Sequence, residues 1–429
     1  MNFTQSNQSA VQSLWRVTPR ICGFVCAAVI ALSQAASPAD LKAQDRLVGA
    51  RVIAAGATIE GVSFGGNGYL QPGTMGGDSI SLKGIQQYSI PVSLVMPVGS
   101  RWSVDLQSAL VQSRLTWRET GSQAAAQHSA TLSGMTDVRI RATGRLLDDA
   151  FVLTAGVNLP TGQTELNADA MTVLRATAAP ALGLGVPPVG TGPAATLGMV
   201  YAGEWQGWAV AMGASVETRG TYQPMASITA GIPSLDFKPG NVLRGSLGLD
   251  RLIGAHRLSI TAAADFYGDD RLKGGAGSSD DSFARVRLGP IITTDLQLQL
   301  AVPQFREFVV WGVNRYRSRY EQSGISMEGT NGNYFDAGVR TSSALSVHTD
   351  VLVTADLRVQ SGLASSQGIA TSGVTAFGAT AGLVHRRGGL SLQPYLRAQA
   401  GSLRPREAGT AQSTSFTGFS AGLVIVTRF

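Results

Sequence analysis

The chain has 429 residues, a formal net charge of +6, 44% hydrophobic residues and only 14% charged residues, with 52 glycines. The hydrophobic content excludes a disordered chain, and no apolar run approaches the ~18 residues of a membrane-spanning helix, which excludes a helical membrane protein. Low charge with abundant glycine suits a sheet that presents one face to lipid and small polar groups on the other.

The N-terminus has the pattern of a secretory signal. Arg16 and Arg20 precede an apolar run over residues 21–32, and small residues follow it. The run is too short to cross a bilayer, which needs about 20 residues. We therefore expect a signal peptide over residues 1–39, with cleavage between positions 35 and 43. A buried N-terminal helix is the alternative.

Both cysteines, Cys22 and Cys26, fall within this apolar run, so the processed chain would contain none. We then expect no disulfide, no zinc site and no catalytic thiol. For an exported chain without a spanning helix, two classes remain: a soluble periplasmic protein or a β-barrel. The residues that follow favour one barrel domain over 46–429.

Alternation with period two runs through the whole remaining chain and predicts β-strands. An antiparallel transmembrane β-barrel of about 16 strands follows; two weak pairings, around Pro303 and Ser346, leave 12 or 14 open. A change of phase near Leu110 and Val111 predicts a bulge in the third strand. The predicted strands are residues 50–63, 79–97, 101–118, 136–147, 150–160, 195–205, 207–219, 241–252, 255–267, 282–301, 307–321, 334–345, 348–360, 374–386, 389–403 and 415–429.

Very short and long connections alternate along the chain, as in barrels with short periplasmic turns and long outer loops. The longest connection is 161–194, and its residues 167–178 have the composition of a short helix. This loop either folds into the mouth of the barrel as a constriction or packs on its neighbours as an exposed loop. The sequence slightly favours the exposed loop.

A hairpin in this region carries a family resemblance. Residues 134–147 open with Gly134 and contain Asp137, and residues 151–162 close with Leu-Pro-Thr-Gly. This hairpin resembles one in outer-membrane transporters of the phenol-degradation meta-pathway family, relatives of the fatty-acid and aromatic-hydrocarbon channels. The resemblance covers about 30 residues. It implies a passive uptake channel for small hydrophobic or aromatic compounds.

The face opposite the lipid carries many ionisable side chains, which hydrocarbon would not accommodate; an arginine at the bilayer midplane costs about 2–4 kcal/mol. We expect these groups either to form a basic wall that favours anions or to fill the interior as arginine–carboxylate pairs. The residues expected to line the lumen are Arg139, Arg141, Arg285, Arg287, Arg315, Arg317, Arg319, Asp265 and Asp295. The three arginines 315–319 would form a ladder beside Arg285 and Arg287 on the neighbouring strand.

Catalytic and cofactor motifs are absent from the sequence. His348 and Asp350 share one predicted face, but no local motif supplies a serine for hydrolysis. Four aspartates in loop 268–281 could bind calcium, although a solvated acidic loop is the more common explanation. We therefore expect no enzyme activity, no cofactor, no metal and no nucleic-acid partner.

The last residue, Phe429, ends an amphipathic strand and resembles the assembly signal of outer-membrane barrels in Gram-negative bacteria. It implies recognition by the barrel assembly machinery and a surrounding of outer-membrane lipid and lipopolysaccharide. The sequence thus predicts an outer-membrane channel for passive uptake of small molecules. A structural or adhesive barrel with functional outer loops is the alternative, and a barrel hydrolase is the third possibility.

Overall fold

The computed structural model describes residues 51–70, 80–119, 126–147, 150–177, 182–185, 190–224, 236–273, 285–362, 371–405 and 413–429. The expected signal peptide and cleavage region lie outside the described residues.

A closed antiparallel barrel of sixteen strands forms the body of the protein, which confirms the predicted fold class and strand number. Two short segments, β4 (Gln127–Met135) and β5 (Val138–Leu146), follow each other along the same neighbour, β3 (Trp102–Glu119), and together make one of the sixteen strands. The barrel strands are β1 (Val52–Leu70), β2 (Ile80–Val98), β3 (Trp102–Glu119), β4 (Gln127–Met135) with β5 (Val138–Leu146), β6 (Phe151–Leu159), β7 (Ala194–Trp205), β8 (Trp208–Arg219), β10 (Val242–Ile253), β11 (His256–Tyr267), β14 (Ile291–Gln299), β15 (Glu307–Arg317), β18 (Gly332–Ala344), β19 (Thr349–Gly362), β20 (Thr371–Arg387), β21 (Leu390–Pro405) and β22 (Thr414–Arg428).

The barrel closes between its first and last strands. β1 pairs with β22 from Val52 opposite Arg428 to Phe64 opposite Phe416. The backbone N–H of Phe429 donates to the carbonyl of Arg51 at 3.1 Å. The final residue therefore belongs to the closing seam.

Five short strands form a second sheet, here called the outer sheet, at the end of the barrel with the long connections. They are β9 (Asp236–Lys238), β12 (Asp269–Lys273), β13 (Arg285–Arg287), β16 (Glu321–Gln322) and β17 (Ile325–Ser326). The outer sheet joins three separate loops.

The predicted strand over 282–301 is wrong as a single element, because β13 leaves the barrel wall and only β14 remains in it. Gly289 and Pro290 occupy the break. A Cβ on Gly289 would lie 2.2 Å from the carbonyl oxygen of Arg319, and Pro290 has no N–H for a ladder.

The loop predicted over 119–135 is also corrected, because residues 127–135 form β4. β4 pairs with the outer half of β3. Its outward residues Ser129, Thr131 and Ser133 are polar and exposed. The strand therefore lacks the apolar alternation by which lipid-facing strands are recognised.

The bulge predicted in the third strand near Leu110 and Val111 lies instead in the neighbouring strand. β3 pairs with β2 without a register shift there, whereas Leu110 pairs with Met135 and Gln107 with Arg139, so the β4–β5 strand carries one extra residue. Leu110 faces outward and is 55% exposed, whereas Val111, Leu115 and Trp117 face inward and are buried. The apolar residues change faces because the lower strand contacts lipid and the upper strand packs on an apolar cluster inside the barrel.

Large apolar side chains cover the outside of the barrel, among them Leu197, Phe377 and Leu396, which are 54%, 63% and 67% exposed. Such a surface is typical of lipid contact, and a closed barrel satisfies its backbone hydrogen bonds without water. The protein is an outer-membrane β-barrel. Among the described residues, no helix combines the length and apolar character needed to cross a membrane.

Candidate solute pathway

Helix α1 (Ala168–Thr177) belongs to the longest connection and folds into the outer end of the barrel. The Asn167 side chain caps it, since its Oδ1 accepts the backbone N–H of Ala170 at 2.8 Å. Val173 and Ala176 are buried, with 0% and 1% exposure. The expectation of an exposed loop is therefore wrong, and the alternative placement inside the mouth is correct.

An apolar inner cluster receives the helix. It combines residues of α1 and Leu182 with inward-facing residues at the outer ends of seven strand segments, β1 to β4 and β20 to β22. Its buried members are Val62, Phe64, Leu82, Ile85, Leu115, Trp117, Leu132, Leu166, Ala170, Val173, Ala176, Leu182, Val374, Ala376, Leu403 and Phe416. Burial of these side chains holds the helix against one side of the lumen.

Asp137 fixes both ends of the segment that carries α1, here called the inserted segment (162–191, of which 162–177, 182–185 and 190–191 are described). Its carboxylate accepts the backbone N–H groups of Gly162 at 2.9 Å and Thr191 at 2.6 Å, and the side-chain amide of Asn158 at 2.8 Å. Asp137 is 4% exposed and lies at the junction between β4 and β5. This one buried carboxylate therefore connects the barrel wall to both ends of the segment.

The middle of the inserted segment is attached to the wall between β1 and β21. The backbone N–H of Gly185 donates to Glu60 Oε2 at 2.9 Å, and Gln399 Nε2 donates to the carbonyl of Leu182 at 2.9 Å. Gln87 also donates to Glu60, and in turn accepts the hydroxyl of Ser113 at 2.8 Å. Because hydrogen bonds are directional, these contacts fix the orientation of the segment, which apolar packing alone would not specify.

A cavity of about 900 Å³ remains on the other side of the lumen, here called the lumen cavity. Its walls come from β5 to β8, β10, β11, β14 and β15. Many wall residues are small, and its lining includes Thr154, Gly156, Thr196, Gly198, Gly213, Ser215 and Ser246. Small residues at these positions leave the space open.

Three of the nine predicted lumen residues, Arg139, Arg141 and Arg315, line this cavity. Asp265 is 5% exposed and lies beneath Arg244, whose Nη2 donates to it at 2.8 Å. Asp295 is half-buried on the inner face of β14.

The remaining four predicted residues do not form a ladder with their neighbours. Arg285 and Arg287 lie on β13 in the outer sheet, where Arg287 pairs with Asp269 at 2.9 Å. Arg317 is buried and donates to the carbonyl of Thr330 at 2.9 Å. Arg319 lies beyond the end of β15.

The pairing register between β14 and β15 explains why the predicted arginine ladder does not form. Arg315 pairs with Thr293 and Arg317 with Ile291 on β14, so no arginine of the neighbouring strand lies beside them. The sequence shows which face a residue occupies, but it does not show that the strand breaks before residue 291.

Two aromatic residues of the cavity could not be predicted from the alternation of the barrel strands, because they lie outside those strands. Tyr222 and Phe237 come from the connection between β8 and β10, and their rings meet edge to face with centroids 5.7 Å apart. A single backbone bridge between the same two residues holds them together. Pairing between distant chain positions places them there, because Phe237 of β9 pairs with Leu272 of β12 on one side and with Tyr222 on the other.

Arginine–carboxylate pairs fill the wall of the lumen near β18 to β21. Arg397 binds Asp356 with two hydrogen bonds, at 2.6 and 2.7 Å, and Arg340 binds Glu307 at 2.7 Å. Paired arginines and carboxylates thus fill this part of the wall, and arginines also line the cavity on the other side of the lumen.

Asp350 does not form a hydrolase site with His348 among the described residues. Its buried carboxylate binds Arg306 at 2.9 Å and Arg386 at 2.6 Å. Its ion pairs are thus with guanidinium groups of two other chain segments.

The acidic loop considered for calcium is only partly described. Asp269 and Asp270 lie on β12 of the outer sheet, whereas Asp280 and Asp281 lie outside the described residues. Asp270 accepts the backbone N–H of Gly240 at 2.6 Å, and burial raises its pKa above the ordinary value. Within the described ranges no group of three or more metal-binding side chains occurs.

Comparisons with known proteins find similar shapes at low identity. The chain is similar to a crystal structure of an outer-membrane channel from Pseudomonas putida F1, with 13% identity, a TM-score of 0.34, and coverage of 92% of this chain and 100% of that chain. It is similar to OprB of Pseudomonas putida, with 10% identity, a TM-score of 0.42, and coverage of 89% and 94%.

A Pseudomonas aeruginosa FadL homologue is similar at 9% identity, with a TM-score of 0.38 and coverage of 88% of this chain and 90% of that chain. No family profile matches the chain, and no curated protein matches it. These values establish no family membership.

Proposed function

We propose that the protein is a channel for passive diffusion of small molecules across the outer membrane. The observation that carries this proposal is the lumen cavity of about 900 Å³, which lies beside the inserted segment. Barrels of 16–18 strands are wide enough to hold an aqueous channel. A volume of this size also suits small-molecule ligands, whose pockets measure about 300–1,000 Å³.

The inserted segment sets the width of the pathway in this proposal. α1 occupies the side of the lumen formed by the inner cluster, and the cavity occupies the side from β5 to β15. A solute would therefore pass along the cavity wall, between the segment and the arginine-bearing strands. The resemblance of the 134–162 hairpin supports small hydrophobic or aromatic compounds as solutes.

The test is single-channel conductance of the purified, folded barrel in planar bilayers, with heat-modifiable migration as the check of folding. A stable open conductance supports the proposal. A folded barrel without conductance and without solute flux in liposomes overturns it. Replacement of residues 167–190 by a short linker should raise the conductance if the inserted segment sets the width.

The outer sheet favours a second candidate, a structural or adhesive barrel that acts through its outer loops. Three loops combine in one sheet, and its exposed Ile325 is 69% accessible. Specific binding to cells or surfaces by a folded, non-conducting barrel would support this role. Loss of that binding after replacement of residues 321–326 would locate it in the outer sheet.

We also propose that Phe429 is an assembly signal for the barrel. Its position in the closing seam, bonded to Arg51, places the C-terminal aromatic residue where β22 meets β1. Outer-membrane lipid surrounds the apolar exterior, and contact with lipopolysaccharide and with the barrel assembly machinery remains a prediction.

A further inference from the structure

The five arginines of the lumen cavity differ in their ionic partners. Arg141 binds Asp105 at 2.8 Å, Arg219 binds Glu217 at 2.5 Å, and Arg244 binds Asp265 with two hydrogen bonds. Arg139 and Arg315 form no ion pair with any carboxylate in the part of the chain that the structure describes. Two guanidinium groups thus have donors available to the cavity.

These two arginines lie on nearly opposite walls. Arg139 is on β5 and Arg315 on β15, and the order of pairing from β5 through β6, β7, β8, β10, β11 and β14 to β15 makes seven steps in a ring of sixteen strands. Opposite strands in such a ring are eight steps apart. A solute in the cavity is therefore exposed to a guanidinium from each side.

Guanidinium groups recognise carboxylates in a particular geometry. Their parallel N–H donors match the two oxygens of a carboxylate, and the charge remains fixed because arginine does not deprotonate in proteins. The lumen walls reduce the screening that bulk water would provide. A free arginine in a lumen attracts an anion more effectively than one already bound to aspartate.

Aromatic residues in the same cavity indicate the second feature of the solute. Tyr222, Phe237 and Tyr267 line the cavity with Arg139 and Arg315. Aromatic rings provide rigid apolar area for an aliphatic or aromatic body. Cationic donors and aromatic surfaces together match an organic anion with an apolar body better than an inorganic ion or a neutral sugar.

We propose that the lumen cavity binds small organic carboxylates with an apolar body, with Arg139 and Arg315 as the anion-recognising side chains. This inference rests on the proposed channel function and specifies its substrate class. The carboxylate would contact the donors of one of these two arginines, and its apolar body would lie against the aromatic residues. Neutral compounds of the same shape would lack the charge-assisted contacts.

The experiment measures block of the chloride current by benzoate, with benzyl alcohol as the neutral comparison, in planar bilayers. We expect block by benzoate and little block by benzyl alcohol. Arg139→Gln and Arg315→Gln should both weaken benzoate block, and the variant that removes the arginine in contact with the carboxylate should weaken it by about tenfold, the effect of losing one charge-assisted contact. The matched control is Arg114→Gln, because Arg114 is exposed on the outward face of β3.

A second variant keeps the arginines and adds the opposite charge. Thr154→Asp introduces a carboxylate into the cavity wall and should weaken benzoate block. It tests the inference even if either arginine variant fails to fold. Equal block of the wild type, the folded arginine variants and Thr154→Asp would overturn the inference and leave the channel function intact. A folded wild-type barrel that neither conducts nor transports would overturn the channel function itself.

Discussion

The backbone N–H of Thr191 donates to the carboxylate of Asp137 at 2.6 Å, across 54 positions of the chain. The same carboxylate accepts the N–H of Gly162, so one side chain of the barrel wall holds both ends of the inserted segment. The segment is therefore attached to the barrel wall at both ends by Asp137 and between them by the packing of α1 and Leu182 in the inner cluster.

Asp137→Ala should loosen the inserted segment. The substitution leaves the N–H groups of Gly162 and Thr191 without their acceptor, and an unsatisfied buried polar group costs about 1–3 kcal/mol. We expect larger current fluctuations and faster proteolysis within residues 162–191. Glu165→Ala serves as the control, because Glu165 is exposed in the same segment. Identical proteolysis of both variants would contradict the role of Asp137.

Val173→Asp should displace α1 from the wall. Val173 is fully buried in the inner cluster, and an unpaired charge there is strongly unfavourable. We expect a higher single-channel conductance than that of the wild type, measured in barrels that remain heat-modifiable. Ala168→Asp makes the same change of charge at an exposed position on the helix and should leave the conductance unchanged. An unaltered conductance in folded Val173→Asp barrels would show that α1 does not restrict the pathway.

Phe429→Ala should reduce assembly of the barrel more than its stability. The C-terminal aromatic residue lies in the seam between β22 and β1. We expect less heat-modifiable barrel in the membrane at equal synthesis, measured by gel mobility. Phe419→Ala is the control, since Phe419 is a lipid-facing aromatic residue of the same strand with 49% exposure. Equal loss in both variants would indicate a general requirement for aromatic residues.

Asp270 should make the outer sheet sensitive to pH. Burial raises the folded-state pKa of Asp270 above 3.8, so the folded state binds a proton more readily than the unfolded state. Its contribution to stability is thus fully present below pH 3.8 and is lost as the pH rises through the folded pKa. We expect less hydrogen-exchange protection in 236–238 and 269–273 above this window, corrected for intrinsic exchange rates.

Asp270→Asn tests this prediction because its amide oxygen can still accept the N–H of Gly240. The variant should lack the pH-dependent change, which is about tenfold in protection for each unit of pKa difference. The same pH dependence in the variant and the wild type would exclude Asp270 as the cause.

Much of the barrel was predictable because a strand's pattern is local. Residues such as Leu258, Ile260 and Ala262 alternate with polar neighbours, and this alternation alone assigns each residue to the lipid or the lumen face. The same argument placed Arg139 and Arg315 inside. It failed for β4, whose outward residues are polar and exposed and so carry no apolar pattern.

The candidate site was less predictable because it depends on contacts between distant chain positions. Leu166, Val173 and Leu182 look like ordinary apolar residues of a loop, and only the apolar inner faces of β1 to β4 and β20 to β22 draw them into the barrel. The aromatic pair Tyr222 and Phe237 likewise depends on the pairing of Phe237 in β9 with Tyr222 and with Leu272 of β12.

The sequence by itself predicted that the chain forms a barrel of about sixteen strands, with 12 or 14 left open, and that charged residues of the barrel strands face the lumen, because period-two alternation and the cost of charge in hydrocarbon act on each strand separately. Only the tertiary structure decided which arginines are neutralised. Arg141 meets Asp105 and Arg244 meets Asp265 through the register between strands, while Arg139 and Arg315 line the cavity that the inserted segment leaves open. Register and loop placement arise from packing over the whole barrel, which no single strand encodes.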